Sequence, residues 1–128
     1  PRMELADLDV LIVDDHEAMR ALLARVLSKA GVVRVRAAAS AAEALAALRE
    51  HPATLILADR NMPGMDGLAF VAAVRADPAL CAAKVIMVSG TAGAEHTAAA
   101  RAAGADAVLV KPVLLGDLLT AINALFAV

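Results

Sequence analysis

The stretch LILADRNMPGMDG, residues 55–67, decides how the fold of this chain is interpreted. Its first four residues are apolar and predict a buried strand that ends on the carboxylate of Asp59. A proline and two glycines follow, and these residues are typical of a loop. A buried strand that ends on an acid predicts a functional site, whose other side chains must come from elsewhere in the chain.

Short apolar segments recur along the whole sequence. Five of them are rich in Val, Ile, Leu and Ala and are bounded by polar or turn residues, which predicts strands. The second segment alternates polar and apolar residues and is predicted at a sheet edge, whereas the others are predicted to be buried on both faces. The five predicted strands are 9–13, 32–36, 53–58, 84–88 and 106–110.

Amphipathic segments lie between these strands and after the last one. The first, beginning at Met19, is predicted to end at Gly31, and the second is predicted to begin with the capping box SAAE at residues 40–43. Three more patterns predict helices after the third, fourth and fifth strands. Five βα units predict an α/β fold, a doubly wound parallel sheet with helices on both faces, formed as one domain over residues 1–128.

Composition excludes several classes of protein. The 128 residues are enough for one domain with a single core. No apolar run reaches the roughly eighteen residues of a membrane span and no signal peptide is evident, so we expect a soluble, cytoplasmic protein. The net charge of −2 and the presence of only two aromatic residues, Phe70 and Phe126, argue against nucleic-acid binding. A single cysteine, Cys81, excludes an internal disulfide.

Polar side chains stand where the predicted strands end. Asp14 and Asp15 follow the first strand, Asp59 the third, Ser89 the fourth and Lys111 the fifth. In open parallel sheets, ligands bind beyond these carboxyl ends. Three adjacent carboxylates repel one another, and Mg²⁺ with a phosphate oxygen relieves that repulsion. The set therefore fits phosphoryl transfer to Asp59, with a lysine and a hydroxyl to neutralise the phosphoryl oxygens.

The sequences LIVDD, LADRNMPGMDG, VSG and VKP, in this order, resemble the receiver domain of two-component response regulators. The resemblance runs from about Asp9 to Phe126, and the stand-alone chemotaxis type is the most similar form. It implies a flavodoxin-like fold with strand order 2-1-3-4-5. It also implies a signalling switch that catalyses only its own phosphorylation and dephosphorylation, and is not an enzyme with an external substrate.

The resemblance further implies a role for each site residue. Asp59 accepts a phosphoryl group from a sensor histidine kinase or a phosphotransfer protein. Lys111 takes the position of the family's lysine, Ser89 that of its switch hydroxyl, and Pro112 that of a proline usually reached by a cis peptide. A Mg²⁺ ion is implied, held by Asp14, Asp15, Asp59 and the backbone carbonyl of Asn61.

The chain departs from the receiver pattern where an aromatic residue is frequent. Val108 stands three residues before the lysine, and Val113 follows the proline. We therefore expect the signal to pass through the loop after the fourth strand and through the fourth helix. The implied output surface is the face of helix 4, strand 5 and helix 5. Leu114 and Leu115 fit either a contact with a target protein or a phosphorylation-dependent dimer, or a hydrophobic staple at the start of the fifth helix.

Other interpretations stay open at this point. The chain is either a stand-alone regulator or a receiver from a larger regulator or hybrid kinase, and a pseudo-receiver interaction module is a further possibility. A haloacid-dehalogenase-type phosphohydrolase requires an acid where Asn61 stands, and a flavodoxin-like cofactor binder requires a phosphate loop in place of DDHEAMR. The three histidines are too scattered for a zinc site, although His16 is predicted at the mouth of the pocket.

Overall fold

The computed structural model describes residues 4–91 and 93–126. A 3-10 turn, Leu5–Asp7, precedes five strands and five helices that alternate along the chain. The strands are β1 (Asp9–Val13), β2 (Arg34–Ala38), β3 (Leu55–Asp59), β4 (Lys84–Ser89) and β5 (Ala107–Val110). The helices are α1 (Glu17–Ala30), α2 (Ala41–Glu50), α3 (Gly67–Ala76), α4 (Ala94–Ala103) and α5 (Leu115–Phe126).

The five strands form one parallel sheet in the order β2-β1-β3-β4-β5, which confirms the predicted topology. Val13 lies opposite Ala58, so Asp14 and Asp59 follow at the same level on neighbouring strands. Ser89 lies opposite Val110, so that Lys111 comes directly after the last paired residue of β5. The register therefore brings the polar strand ends to one edge of the sheet.

Both faces of the sheet are covered by helices. Alternate residues of the central strands, such as Leu11 and Ile56, pack on one face against α2, α3 and α4. Their neighbours, such as Ile12 and Leu57, pack on the other face against α1 and α5. Two buried faces explain why β1, β3 and β4 have almost no polar residue before their ends. None of the helices in the described ranges has the length and apolar content that crossing a membrane requires.

The structure differs from the predictions for both edge strands, β2 and β5, and for the end of the central strand β3. β2 begins at Arg34, two residues later than predicted, and β3 extends to Asp59, so the acid is the last residue of its strand. β5 was expected to be buried on both faces, but this prediction is wrong. No strand within residues 4–91 and 93–126 pairs with the outer side of β5, and its residues are half-buried or, at Val110, exposed.

Candidate functional site

The carboxyl ends of four strands form the candidate site. Backbone hydrogen bonds continue just past the strands: Asp14 donates to Ala38 at 3.1 Å, and Lys111 donates to Ser89 at 2.8 Å. These bonds fix the direction in which the chain leaves the sheet. Asp14 and Asp59 are buried, at 0% and 3% exposure, whereas Asp15 and Lys111 are half-buried.

Lys111 is the cation of the site. Its Nζ donates a hydrogen bond to Asp59 Oδ1 at 3.1 Å and lies 3.8 Å from Asp14 Oδ2. One ammonium group therefore faces two buried carboxylates. Asp15 adds a third acid, so Lys111 cannot balance the negative charge of the site.

Three carboxylate oxygens at this edge have no hydrogen-bond partner among the described residues. They are Oδ2 of Asp14, Oδ1 of Asp15 and Oδ2 of Asp59. Leaving a buried polar atom unpaired is costly, so such atoms usually indicate a missing partner. Ligand atoms of Asp14, Asp15, His16 and Asp59 all lie within 4.8 Å of one another. Hard oxygens at this spacing can hold a divalent cation, so the residues fit a metal site.

The pKa of Asp59 reflects the excess of negative charge and the burial at this site. Burial raises the pKa of its carboxyl group above the ordinary value of 3.8, and the negative charge of Asp14 raises it further. The hydrogen bond and charge of Lys111 oppose this rise without cancelling it. A bound cation would favour the ionised form of Asp59 because it adds positive charge next to the carboxylate.

The loop after β3 explains the glycines of the opening stretch. A Cβ atom on Gly67 would lie 2.3 Å from the carbonyl oxygen of Asp59 and 2.7 Å from the Cα atom of Arg60. Gly64 has a φ of 77°, a conformation that favours glycine. The amide of Asn61 lies 3.5 Å from Asp59 Oδ1. The glycines therefore let the loop fold back over the acid at the end of the strand.

The hydroxyl of Ser89 points into its own loop. Its Oγ accepts a hydrogen bond from the amide of Thr91 at 3.2 Å and donates one to the carbonyl of Thr91 at 3.1 Å. Ser89 is buried at the end of β4, beside the acids. The structure thus brings the residue to the site but pairs its hydroxyl with the loop.

His16 lies at the mouth of the site, as the sequence predicts. Its Nδ1 is 3.1 Å from Asp14 Oδ1 and 3.2 Å from Asp15 Oδ1. His51 pairs with Asp9 at the opposite end of the sheet, and the backbone carbonyl of His96 accepts a hydrogen bond from Arg60. The histidines are dispersed as expected, but one of them contacts the acids.

Comparison with known proteins identifies the family. Residues 10–123 match the response regulator receiver domain. The chain belongs to this family. It is 36% identical over 127 residues to the probable chemotaxis protein CheY of Rhizobium etli, and the match covers 97% of each chain. It is also 36% identical to the sensory/regulatory protein RpfC of Xanthomonas campestris, over 92% of this chain and 16% of that protein.

Similar solved structures support the assignment of this chain to the receiver-domain family. The chemotaxis protein CheY4 of Vibrio cholerae is similar with a TM-score of 0.84 and 33% identity, over 91% of this chain and 97% of that chain. A CheX-CheY-BeF3-Mg+2 complex from Borrelia burgdorferi contains a chain with a TM-score of 0.85 and 26% identity, over 93% of this chain and 89% of that chain. The chain is thus a CheY-type receiver with the flavodoxin-like fold, consistent with phosphorelay signalling, and the interpretations as a dehalogenase-type phosphohydrolase or as a cofactor binder are wrong.

Other features of this receiver follow the sequence expectations. The Lys111–Pro112 peptide is cis. Val108 is half-buried and packs against the core on the face of α2, α3 and α4. Val113 is buried with α1 and α5, whereas Leu114 and Leu115 are exposed by 59% and 38%.

One link to the site was missed from the sequence. The guanidinium of Arg60 donates a hydrogen bond to the carbonyl of His96 at 3.0 Å, and so joins the residue after Asp59 to the first turn of α4. The two residues are 36 positions apart, and no periodicity or motif signals such a contact. Only the packing of α4 beside α3 and β5 reveals it.

Proposed function

We propose that this single receiver domain accepts a phosphoryl group on Asp59 in a Mg²⁺-dependent reaction, from a sensor histidine kinase or a phosphotransfer protein. The observation that carries the proposal is the set of unpaired, buried oxygens of Asp14 and Asp59 beside Lys111. These oxygens need a cation, and the free Oδ2 of Asp59 is available as a nucleophile. The domain acts as a cytoplasmic signalling switch and not as an enzyme for an external metabolite.

Each side chain has a role in this transfer. An oxygen of Asp59 attacks phosphorus, the bond from phosphorus to the donor histidine breaks, and its electron pair returns to the imidazole. Lys111, already 3.1 Å from Asp59, compensates the charge of the phosphoryl oxygens. Asp14, Asp15, Asp59 and the backbone carbonyl of Asn61 would hold Mg²⁺. When bound, the ion supplies charge neutralisation between the acids and the phosphoryl group.

Ser89 and α4 would transmit the phosphorylated state. The Ser89 hydroxyl exchanges its local bonds with Thr91 for a bond to a phosphoryl oxygen, and this moves the loop that leads into α4. Arg60 connects the same helix to the residue after Asp59. Val108 offers no aromatic side chain to change its rotamer. We therefore assign the readout to Gly90 and Thr91, which follow β4, and to the first turn of α4.

The output surface is proposed to be the face formed by α4, β5 and α5. Val110, Leu114 and Leu115 expose apolar side chains there, by 43%, 59% and 38%. Exposed apolar residues that lie close together favour contact with another protein. A target protein is the proposed occupant, and self-association of the phosphorylated form is the alternative.

The proposal is tested by the intact mass of the protein after incubation with acetyl phosphate and Mg²⁺. We expect one added phosphoryl group, absent when the metal is chelated and absent in Asp59→Asn. Because rapid hydrolysis would hide the adduct, the same samples are titrated with beryllofluoride and followed by NMR. An adduct that persists in Asp59→Asn would contradict the assignment of Asp59 as the phosphoacceptor. No response of the wild type to either reagent would contradict the proposal and favour a pseudo-receiver.

A further inference from the structure

His16 occupies an unusual position at the start of α1. It is the residue before the first turn, where Ser, Thr, Asp or Asn usually caps the helix with its side chain. Within the described residues the imidazole of His16 caps no amide of α1 and instead turns toward the acids. Its side chain is 67% exposed, so an ion can approach it from solvent.

Nδ1 of His16 is within hydrogen-bonding distance of Asp14 Oδ1, and its distances to the acids also match those between the ligand atoms of one ion. Two adjacent ligand atoms of an octahedral cation, each at about 2.1 Å from it, lie about 3 Å apart. Nδ1 of His16 lies 3.1 Å from Asp14 Oδ1 and 3.2 Å from Asp15 Oδ1. Among the described residues, Oδ2 of Asp14 and Oδ2 of Asp59 have no hydrogen-bond partner, and the side chains of these two acids are only 1% and 2% exposed.

A nitrogen ligand changes the preference of such a site. Mg²⁺ favours oxygen ligands and retained waters, whereas imidazole suits Zn²⁺, Ni²⁺ and other transition metals. Three carboxylates without His16 would form an ordinary oxygen site. The histidine gives transition metals an additional strong bond that adds little for Mg²⁺.

We propose that His16 is a metal ligand of this receiver and makes its acidic site select divalent transition metals over Mg²⁺. The inference rests on the metal site of the proposed function and adds a regulatory consequence. Zn²⁺ competes with Mg²⁺ for the acids, so the availability of transition metals controls which ion occupies the phosphorylation site.

The first experiment compares the affinities of Zn²⁺ and Mg²⁺ by calorimetry at one pH in a non-coordinating buffer. The proteins are the wild type, His16→Phe, and His51→Gln as a control with an equally exposed histidine at the opposite end of the sheet. His16→Phe should weaken Zn²⁺ binding by at least about tenfold, because even outer-shell partners contribute about 10- to 100-fold. It should leave Mg²⁺ binding unchanged, and His51→Gln should alter neither.

The second experiment identifies the ligand directly. Electron spin echo spectroscopy of bound Cu²⁺, a paramagnetic ion that imidazole suits, should show coupling to ¹⁴N of a ligated imidazole in the wild type and in His51→Gln, and no such coupling in His16→Phe. An absent nitrogen coupling in the wild type, or an equal loss of Zn²⁺ and Mg²⁺ affinity in His16→Phe, would overturn the proposal. Phosphorylation in Mg²⁺ would survive that result. Conversely, failure of acetyl phosphate and beryllofluoride to react would reject the proposed function while the nitrogen signal still stands.

Discussion

At the scale of single residues, Asp59 stands where its charge opposes folding. It is buried, one of its oxygens is unpaired, and burial raises its pKa above 3.8 despite the Lys111 hydrogen bond. The carboxyl group of Asp59 therefore binds a proton more tightly in the folded state than in the unfolded chain. It follows that the Asp59 contribution lowers the free energy of unfolding as pH rises through the raised pKa, and that the loss persists at neutral pH.

Asp59→Asn should accordingly stabilise the metal-free protein at pH 7. We expect the free energy of unfolding to rise by about 1–3 kcal/mol, the usual cost of a buried charged group without a full set of partners. Urea denaturation with a chelator present measures the change. The gain should shrink as the pH is lowered toward the ordinary pKa, since the wild-type carboxyl group is then protonated. A gain that is independent of pH would contradict the electrostatic explanation.

At the scale of secondary-structure elements, two arginines hold the two ends of α4. Arg60 donates to the carbonyl of His96 in the first turn at 3.0 Å. Arg75 donates to the carbonyl of Gly104, just past the last turn, at 2.9 Å, and pairs with Asp106. Only the first of these contacts connects the helix to the neighbourhood of Asp59.

Removing the Arg60 contact should therefore loosen the beginning of α4 alone. In Arg60→Ala we expect hydrogen exchange over residues 97–99 to become about fivefold faster, because one hydrogen bond contributes about 1 kcal/mol. The amide of Thr97, which donates to the carbonyl of Gly93, is the first to be protected by the helix. Exchange over residues 100–103 should stay unchanged. Arg75→Ala is the matched control and should show the reverse pattern. Uniformly faster exchange along α4 in both variants would mean that the helix responds as one unit and that Arg60 has no specific role.

The elements also show which features a sequence can predict. Buried strands with two covered faces are nearly pure Val, Ile, Leu, Ala and Met, so β1, β3 and β4 were predicted with small errors at their ends. β5 has the same composition, yet it lies at an edge of the sheet. Its burial was mispredicted because an apolar run does not reveal how many neighbouring strands a strand has. The strand order came from a family resemblance and not from periodicity.

The candidate site also has features that the sequence predicts and features that it does not. Asp14, Asp59 and Lys111 were predicted to meet because parallel strands end at one edge, and this requires no knowledge of rotamers. The direction of the Ser89 hydroxyl and the contact of Arg60 with α4 depend on side-chain torsions and on packing between distant segments. Neither leaves a pattern in the sequence. The position of His16 was indicated only by its adjacency to the acids.

At the scale of the whole molecule, the two ends of the sheet each contain a buried acid, and the two acids differ in how completely they are hydrogen-bonded. At the amino end, Asp9 accepts hydrogen bonds from Arg36 at 3.1 Å and pairs with His51 at 2.9 Å, while its amide donates to Thr54 Oγ1 at 2.8 Å. Both oxygens of this carboxylate have partners. At the carboxyl end, Asp59 keeps one oxygen unpaired.

Replacing each acid by its amide should consequently have opposite effects. Asp9→Asn should lower the free energy of unfolding by about 1–3 kcal/mol, because the nearly buried side chain at position 9 loses its charged hydrogen bonds with Arg36 and His51. Since Asp9 lies at the far end of the strand that leads to Asp14, its replacement should leave Mg²⁺ affinity unchanged. Asp59→Asn should raise stability and weaken Mg²⁺ binding. Urea denaturation and Mg²⁺ titration of both variants test this pairing. If Asp9→Asn altered Mg²⁺ affinity, the two ends would be coupled through β1, and the sheet could not be treated as a rigid support that separates stability from signalling.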